Sequence, residues 1–277
     1  SDDILKQIAE VYRKIRNTAR YILGNTSDYN PEQPVAYEDL QEIDKWALTR
    51  LNKLIKNCTY NYDNYNFSSC YHDINEFCVI DMSNFYLDII KDRLYTSKKN
   101  SVERKAAQTT MYIILDSLVK ILAPMICFTA EEIWKAMSHT KSENVESVML
   151  TDFPKANELY DNEELSKKWD EILKLKTEVA KELENARTEK IIGHSLNAKV
   201  IIYAGKEKYE FLKENLELLR TVFIVSDLEI IEDEEYKIKV EQAKGEKCER
   251  CWMYSTTVGE DKENPTICHR CSEAIHE

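Results

Sequence analysis

The sequence predicts a mainly α-helical protein, in which a helical bundle is followed by a small α+β module and a cysteine-rich tail. Three observations support this prediction. The chain of 277 residues has only 5 Gly and 5 Pro, which favours long helices with few tight turns. Apolar residues recur at three- and four-residue steps through roughly the first 140 residues, as in the helices of a bundle. β-branched runs and two Cys-x-x-Cys pairs follow later in the chain.

The bundle helices follow from this apolar spacing. It predicts helices over residues 4–23, 38–58 and 101–122, and between them a helix that runs or restarts from Asn66 to Leu94. Asn66 is placed to cap that helix after a loop over residues 61–66. Thr129 and Glu132 match a capping box that would open a last short helix. Four cysteines are expected on apolar helix faces and hence in the core: Cys58, Cys70, Cys78 and Cys127.

The pattern changes after a linker over residues 151–165. A long charged helix is predicted over about residues 162–187. Three runs then have strand character, the first two because they are β-branched and apolar, the third because it alternates polar and apolar residues. These runs, with a helix over 206–219 between the first two, predict a small α+β module; the runs are 198–204, 221–231 and 236–243.

Charge and hydropathy narrow the classes of function. The net charge of -12 argues against an obligate nucleic-acid binder, because neutralising phosphates requires positive surface, but a local basic face stays possible. No apolar run approaches the roughly 18 residues of a membrane span, so no membrane partner is expected. The first ten residues lack a secretion signal and a start methionine. We therefore expect an internal fragment of a cytoplasmic protein.

The motif with clear chemistry is C-x2-C-x16-C-x2-C. This spacing is typical of a four-cysteine zinc site, because each Cys-x-x-Cys places two thiolates on one tight turn. The predicted cofactor is one structural Zn²⁺, since four thiolates leave no open position for water. The alternative is a pair of redox dithiols or disulfides, and His269 could replace one ligand. The predicted ligands are Cys248, Cys251, Cys268 and Cys271.

Catalytic groups are not evident elsewhere. The sequence has no G-x-G-x-x-G and no phosphate-cradling glycine loop. His72, His139 and His194 are isolated, and each is expected to be an ordinary polar residue rather than a general base. No catalytic residue is predicted.

Six stretches match family motifs that composition does not explain: RKIRNTARYILGN (13–25), FYLDIIKDRLYT (85–96), LAPMICFTAEEIW (122–134), EKIIGHSLNAKVIIY (189–203), FIVSDLEI (223–230) and GEKCERCWMYSTTVG (245–259). Together they resemble the C-terminal half of bacterial isoleucyl-tRNA synthetase, and the resemblance covers essentially the whole chain. Related valyl, leucyl and methionyl enzymes share the helical motifs in looser form. The cysteine motif, in which Trp252 directly follows the first Cys-x-x-Cys pair (CERCW), makes the isoleucyl resemblance specific.

The resemblance implies three domains: a helical anticodon-binding domain of class I synthetases (1–157), an α+β junction module (158–236) and a zinc-binding tail (237–277). The intact enzyme, expected to be monomeric, joins isoleucine to its tRNA using ATP. The H-I-G-H and K-M-S-K-S motifs of that enzyme, and its editing domain, have no counterpart in this sequence. This segment is therefore expected to bind isoleucine tRNA and zinc and to catalyse no reaction. No DNA partner is expected, and ATP is expected to bind only to the catalytic core, which this segment lacks.

Two groups of residues are candidate tRNA contacts. Bases can stack on an exposed aromatic ring while Lys and Arg hold the backbone. Trp252 could instead pack the small zinc core, and the cations of the first helix could be a solvated face. The favoured group is Lys247, Arg250, Trp252 and Arg270; the other is Arg13, Lys14, Arg16 and Arg20.

Two other functions compete with this interpretation. A protein-interaction module with a structural zinc tail would need no RNA. A DNA-repair glycosylase can carry a similar four-cysteine finger. Such an enzyme is expected to have a basic chain and a β-rich N-terminal domain, whereas this chain is acidic and begins with a predicted helix.

Overall fold

Helices dominate the computed structural model, which describes residues 2–276 and groups them into two units. The first unit extends to Leu94 and resumes over Lys99–Ser166, while the second contains Tyr95–Lys98 and the chain from Lys167 onward. The mainly α fold, with a small α+β part and a cysteine cluster, is confirmed. The finer division at residues 157 and 236 stays a prediction. Within residues 2–276, no helix is both long and apolar enough to cross a bilayer.

The first unit is a bundle of helices, in which the helix over Val102–Leu122 is buried on most of its surface. The predicted helices over 4–23 and 101–122 are confirmed, the second with Ser101 Oγ accepting from the N–H of Arg104 at 3.3 Å as an N-cap. The elements are α1 (Asp2–Asn25), α2 (Glu42–Asp63), α3 (Phe67–Glu76), a π-helical segment (Phe77–Tyr86), α4 (Leu87–Ile89), α5 (Lys91–Thr96), α6 (Val102–Leu122) and α7 (Cys127–Ala136).

Three local predictions about the bundle were wrong, and one was right only in part. The α2 helix continues through Asp63, so only the end of the predicted 61–66 loop is loop. Asn66 occupies the N-cap position of α3, as predicted, but its side chain makes no capping bond. Thr129 lies inside α7 and its hydroxyl pairs with Tyr12 Oη at 3.0 Å, so no capping box forms. Cys127 is exposed, because α7 begins there and turns it outward; the other three bundle cysteines are buried as predicted.

A buried ion pair ties three elements of the bundle together. Arg93 donates through both terminal nitrogens to the carboxylate of Asp44, at 2.7 and 2.5 Å, and the hydroxyl of Tyr86 donates to the same carboxylate at 2.7 Å. Asp44 and Tyr86 are fully buried. Burial, reinforced by the nearby carboxylate, raises the pKa of Tyr86 well above its ordinary value. This network joins the start of α2, the end of the π-helical segment and α5.

The second unit contains a long helix and a three-stranded mixed sheet. In the sheet, β1 is central, parallel to β2 and antiparallel to β3. The predicted strands 198–204 and 236–243 and the predicted helix 162–187 are confirmed to within a few residues. The elements are α8 (Glu163–Thr188), β1 (Ala198–Ala204), α9 (Lys206–Glu214), α10 (Leu216–Phe223), β2 (Asp227–Glu232), β3 (Lys237–Gln242), β4 (Glu246–Lys247), β5 (Tyr254–Ser255) and α11 (His269–Ile275).

The predicted strand over 221–231 was wrong in its first part. Residues up to Phe223 belong to α10, because Leu219, Val222 and Phe223 recur at helical spacing and are buried together. Ile224 then adopts a left-handed conformation (φ 56°), which ends the helix before β2 begins at Asp227. Tertiary burial therefore overrides the β propensity of this β-branched run.

Candidate metal centre

The four tail cysteines come from two turns. Cys248 and Cys251 lie between the short strands β4 and β5, while Cys268 is the N-cap of α11 and Cys271 lies in its first turn. The four sulfur atoms all lie within 4.8 Å of one another, and all four residues are buried. The structure thus brings together two Cys-x-x-Cys turns that are separated by 16 residues in sequence.

Backbone hydrogen bonds shape these turns. The N–H of Cys248 donates to the carbonyl of Met253, and the N–H of Trp252 donates to the carbonyl of Cys248, both at 2.9 Å. The N–H of Cys268 donates to Cys248 Sγ at 3.3 Å, which links the two turns directly. Gly245 has φ +91°, and a Cβ there would lie 2.3 Å from the backbone of Ser255, so the hairpin requires glycine.

The geometry fits a tetrahedral zinc ion. With a Zn–S bond of about 2.3 Å, the edges of a sulfur tetrahedron are about 3.8 Å long. Cys251 Sγ and Cys268 Sγ are 3.9 Å apart. A single ion among the four sulfurs would have no open coordination position, so it would hold the tail together without activating water.

Electrostatics favour a thiolate at one of the four sulfurs, that of Cys251, whereas burial raises the pKa of Cys268. A hydrogen bond with the Cys271 thiol lowers the pKa of Cys251 to about 4, and the same interaction raises the pKa of Cys271. Arg270 lowers the pKa of Cys251 further, and Arg250 acts on Cys271 in the same direction. The two arginines therefore offset the negative charge of the cluster.

An aspartate that the sequence analysis did not identify ties the loop to α11. Asp261 Oδ2 accepts from the Ser272 hydroxyl at 2.6 Å and from Asn264 Nδ2 at 3.1 Å, and His276 Nε2 lies 3.2 Å away. These hydrogen bonds, that of Ser272 first, hold the pKa of Asp261 well below its ordinary value. Nothing in the spacing of the motif marks this residue.

His269, the alternative ligand, lies outside the sulfur cluster. Its side chain is exposed, with Nδ1 3.9 Å from Glu260 and Nε2 3.5 Å from Glu273. The four groups that the structure brings within ligand distance of one another are all thiols.

Trp252 is on the outside of the tail. It is 59% exposed and has φ 65°, a left-handed conformation that few non-glycine residues adopt. Lys247 Nζ lies 5.0 Å from the centre of its ring. The apolar residues that pack against the cysteines are Ile267, Met253 and Val258. The indole is thus presented to solvent beside a cation.

The predicted arginine contacts differ in accessibility. Arg250 is half-buried and donates to the carbonyl of Thr96, which belongs to the same unit, at 2.6 Å. Arg270 is exposed, with one nitrogen 3.9 Å from Met253 Sδ. In the other unit, the four predicted cations of α1 are all exposed: Arg13, Lys14, Arg16 and Arg20.

Comparison with known proteins gives matches over most of the chain. A family model described as the anticodon-binding domain of tRNA ligase matches residues 44–202, and one described as the zinc finger found in FPG and IleRS matches residues 245–274. The isoleucine–tRNA ligase of Caldanaerobacter subterraneus subsp. tengcongensis is 54% identical over 100% of this chain and 31% of its own length. That of Caldicellulosiruptor saccharolyticus is 52% identical over 99% of this chain and 30% of its own length. The chain thus spans about a third of the length of these relatives.

Proposed function

Because the chain belongs to the family of anticodon-binding domains of tRNA ligases, we propose that it recognises the anticodon region of isoleucine tRNA. One observation carries the isoleucine assignment: the anticodon-binding match and the IleRS-type zinc finger occur in a single chain. The curated relatives that cover the chain are named isoleucine–tRNA ligases. A glycosylase would share the finger but has no reason to carry the helical bundle.

The physical requirements of anticodon recognition support this proposal. Proteins read unpaired RNA bases by stacking them on aromatic rings and contacting their edges, while cations hold the backbone. With a net charge of -12, the chain can do this only from local basic surface. The exposed Trp252 and Lys247 provide one such place, and the exposed cations of α1 provide another.

The four tail cysteines are proposed to bind one structural zinc ion. Their mutual sulfur distances and burial support this assignment. When bound, the metal supplies a cross-link between two turns. The residues around it keep the turns in place: Asp261 fixes the loop on α11, and Arg250 and Arg270 balance the thiolate charge.

The larger protein to which this chain would belong is proposed to be a cytoplasmic, monomeric isoleucine–tRNA ligase that uses ATP. The share of each relative that the chain covers supports a role as one part of such an enzyme. In that enzyme the chain would bind and position the anticodon, and the rest of the enzyme would catalyse the joining of isoleucine to the tRNA.

Anticodon-dependent binding tests this function. We expect the chain to bind an isoleucine tRNA transcript more tightly than a transcript with a changed anticodon, and to bind duplex DNA more weakly than both, at one fixed salt concentration. Equal weak binding to all three, measured by filter binding, would instead support a protein-interaction module.

Replacement of Trp252 by alanine should weaken tRNA binding without loss of zinc. Base–aromatic stacking contributes about 1–3 kcal/mol per base, so we expect the dissociation constant for isoleucine tRNA to rise about 5- to 150-fold. Trp252→Phe, which keeps an aromatic face, is the matched control. Metal content, measured by elemental analysis, should be unchanged, because the indole lies outside the apolar residues around the sulfurs. Parallel loss of zinc and of tRNA binding would mean that Trp252 is only structural.

A further inference from the structure

A cavity of about 450 Å³ lies within the second unit, between the end of α8, the ends of β1 and β3, and the β5 strand. Its volume is within the range of about 300–1,000 Å³ that is usual for sites that bind small organic groups. Its polar and aromatic lining residues are Arg187, Lys190, Asn197, Gln242 and Tyr254, and Ile192 is a buried apolar residue of the lining. We call it the Tyr254 cavity.

The walls of the Tyr254 cavity are fixed by hydrogen bonds that leave other polar groups available. The N–H of Tyr254 donates to Ser226 Oγ at 2.7 Å, and the N–H of Ala243 donates to the carbonyl of Asn197 at 2.8 Å. Asn197 Oδ1 accepts from the N–H of His194 at 2.8 Å. The side-chain NH₂ of Asn197 and the amide of Gln242 have no hydrogen-bond partner within residues 2–276. The backbone around the cavity is therefore held by hydrogen bonds, while the two side-chain amides are open to solvent or to a ligand.

Charge distinguishes the Tyr254 cavity from two other cavities in this acidic chain. Its lining contains two cations and no carboxylate. By contrast, the cavity beside the π-helical segment sets Arg50 and Lys53 among three acidic residues, and the cavity between α8 and α9 mixes lysines with three glutamates. The Tyr254 cavity can thus accept an anion where these two would oppose it.

Lys190 has an unusual backbone for its residue type. It has φ 61° at the end of α8, where helices usually place glycine because a side chain is disfavoured in that conformation. Its ammonium forms no ion pair within the described part of the chain. Arg187 pairs with Glu184 at 2.9 Å but is still 47% exposed. Lys190 thus keeps a disfavoured backbone conformation and an unpaired cation at the cavity. We infer that its side chain binds a ligand there.

We propose that the Tyr254 cavity binds one unpaired nucleotide of the tRNA. The base stacks on the Tyr254 ring, the amides of Asn197 and Gln242 reach its edge, and Arg187 and Lys190 hold its phosphate. This proposal rests on the proposed function, since it takes tRNA as the partner. A stacking ring, amide groups and cations in one pocket are what recognition of a splayed base requires.

Lys190→Gly provides a sharp test, because glycine relieves the backbone conformation while it removes the cation. We expect the melting temperature of the chain to be unchanged or higher, whereas the affinity for an isoleucine tRNA transcript falls several-fold. The slope of log K against log salt should become shallower by about 1, as for loss of one phosphate contact. Lys206→Ala, which removes an exposed cation at the start of α9, is the control for net charge and should leave both quantities nearly unchanged.

Replacement of the Tyr254 ring tests the contribution of stacking to tRNA affinity separately from that of charge. Tyr254→Leu should weaken binding of the same transcript about 5- to 150-fold, and Tyr254→Phe should restore most of it. If Lys190→Gly and Tyr254→Leu bind tRNA as the unaltered chain does, while Trp252→Ala binds more weakly, the cavity proposal is overturned and the proposed function stands. If the unaltered chain shows no preference for tRNA over duplex DNA, both are overturned.

Discussion

Removal of zinc is expected to unfold the tail over residues 245–276 and to leave the bundle folded. The apolar residues around the four sulfurs are few, namely Ile267, Met253 and Val258, so the tail has too small a core to fold unaided. Structural zinc supplies about 10–16 kcal/mol in small zinc-binding peptides. The bundle has its own large core, with fully buried Trp134, Tyr86 and Leu48.

Hydrogen exchange followed by mass spectrometry measures this effect segment by segment. After chelation, and equally in Cys271→Ser, peptides from residues 245–276 should exchange at the rate of unfolded chain, while peptides from α2 and α6 keep their protection. Cys127→Ser, which changes an exposed cysteine outside the cluster, should retain one zinc per chain. Full protection of the tail after chelation, or no metal in freshly reduced protein, would contradict the zinc assignment.

Asp44→Ala is expected to destabilise the bundle by about 3–5 kcal/mol, because it leaves a buried cation without its partner. Arg93 is 9% exposed and makes both of its short contacts to this one carboxylate. The substitution also removes the acceptor for the buried Tyr86 hydroxyl and for the N–H of Gln41 at 3.2 Å. Three elements of the bundle would therefore loosen together.

Native-state hydrogen exchange of peptides from α2 and from residues 77–96 measures this loss. A change of this size raises the exchange rate by roughly two to four orders of magnitude. The matched control is Asp88→Ala, which removes a carboxylate from an exposed ion pair with Lys91 in the same bundle; its effect should stay below about 1 kcal/mol. Similar exchange rates in Asp44→Ala and Asp88→Ala would show that the buried pair adds no stability.

The predictions that succeeded rest on local patterns. The recurrence of apolar residues predicted α1 and α6, whereas the N-cap of α6 at Ser101 was found only in the structure. The spacing of the cysteines predicted a sulfur cluster, because a Cys-x-x-Cys turn holds two sulfurs wherever it occurs. The determining residues lie within one helix or within one Cys-x-x-Cys turn, and only the pairing of the two turns spans a longer stretch of 16 residues.

The predictions that failed concern residues whose state depends on distant neighbours. Thr129 resembles a helix cap in sequence, but its hydroxyl pairs with Tyr12, which is 117 positions away. Residues 221–223 have β-branched and aromatic side chains, yet they complete the buried face of α10. Sequence periodicity carries no information about which partner will cover a given face.

The sequence by itself determined the helical bundle, the mixed α+β module and the four-thiol tail. It also determined the family, through motifs spread along the chain. Only the tertiary structure decided that Asp44 meets Arg93, that Trp252 faces solvent and that Arg187, Lys190 and Tyr254 line one cavity. The physical reason is range: helix periodicity and metal-ligand spacing are short-range properties of the chain, whereas buried ion pairs and cavities form between residues that only folding brings together.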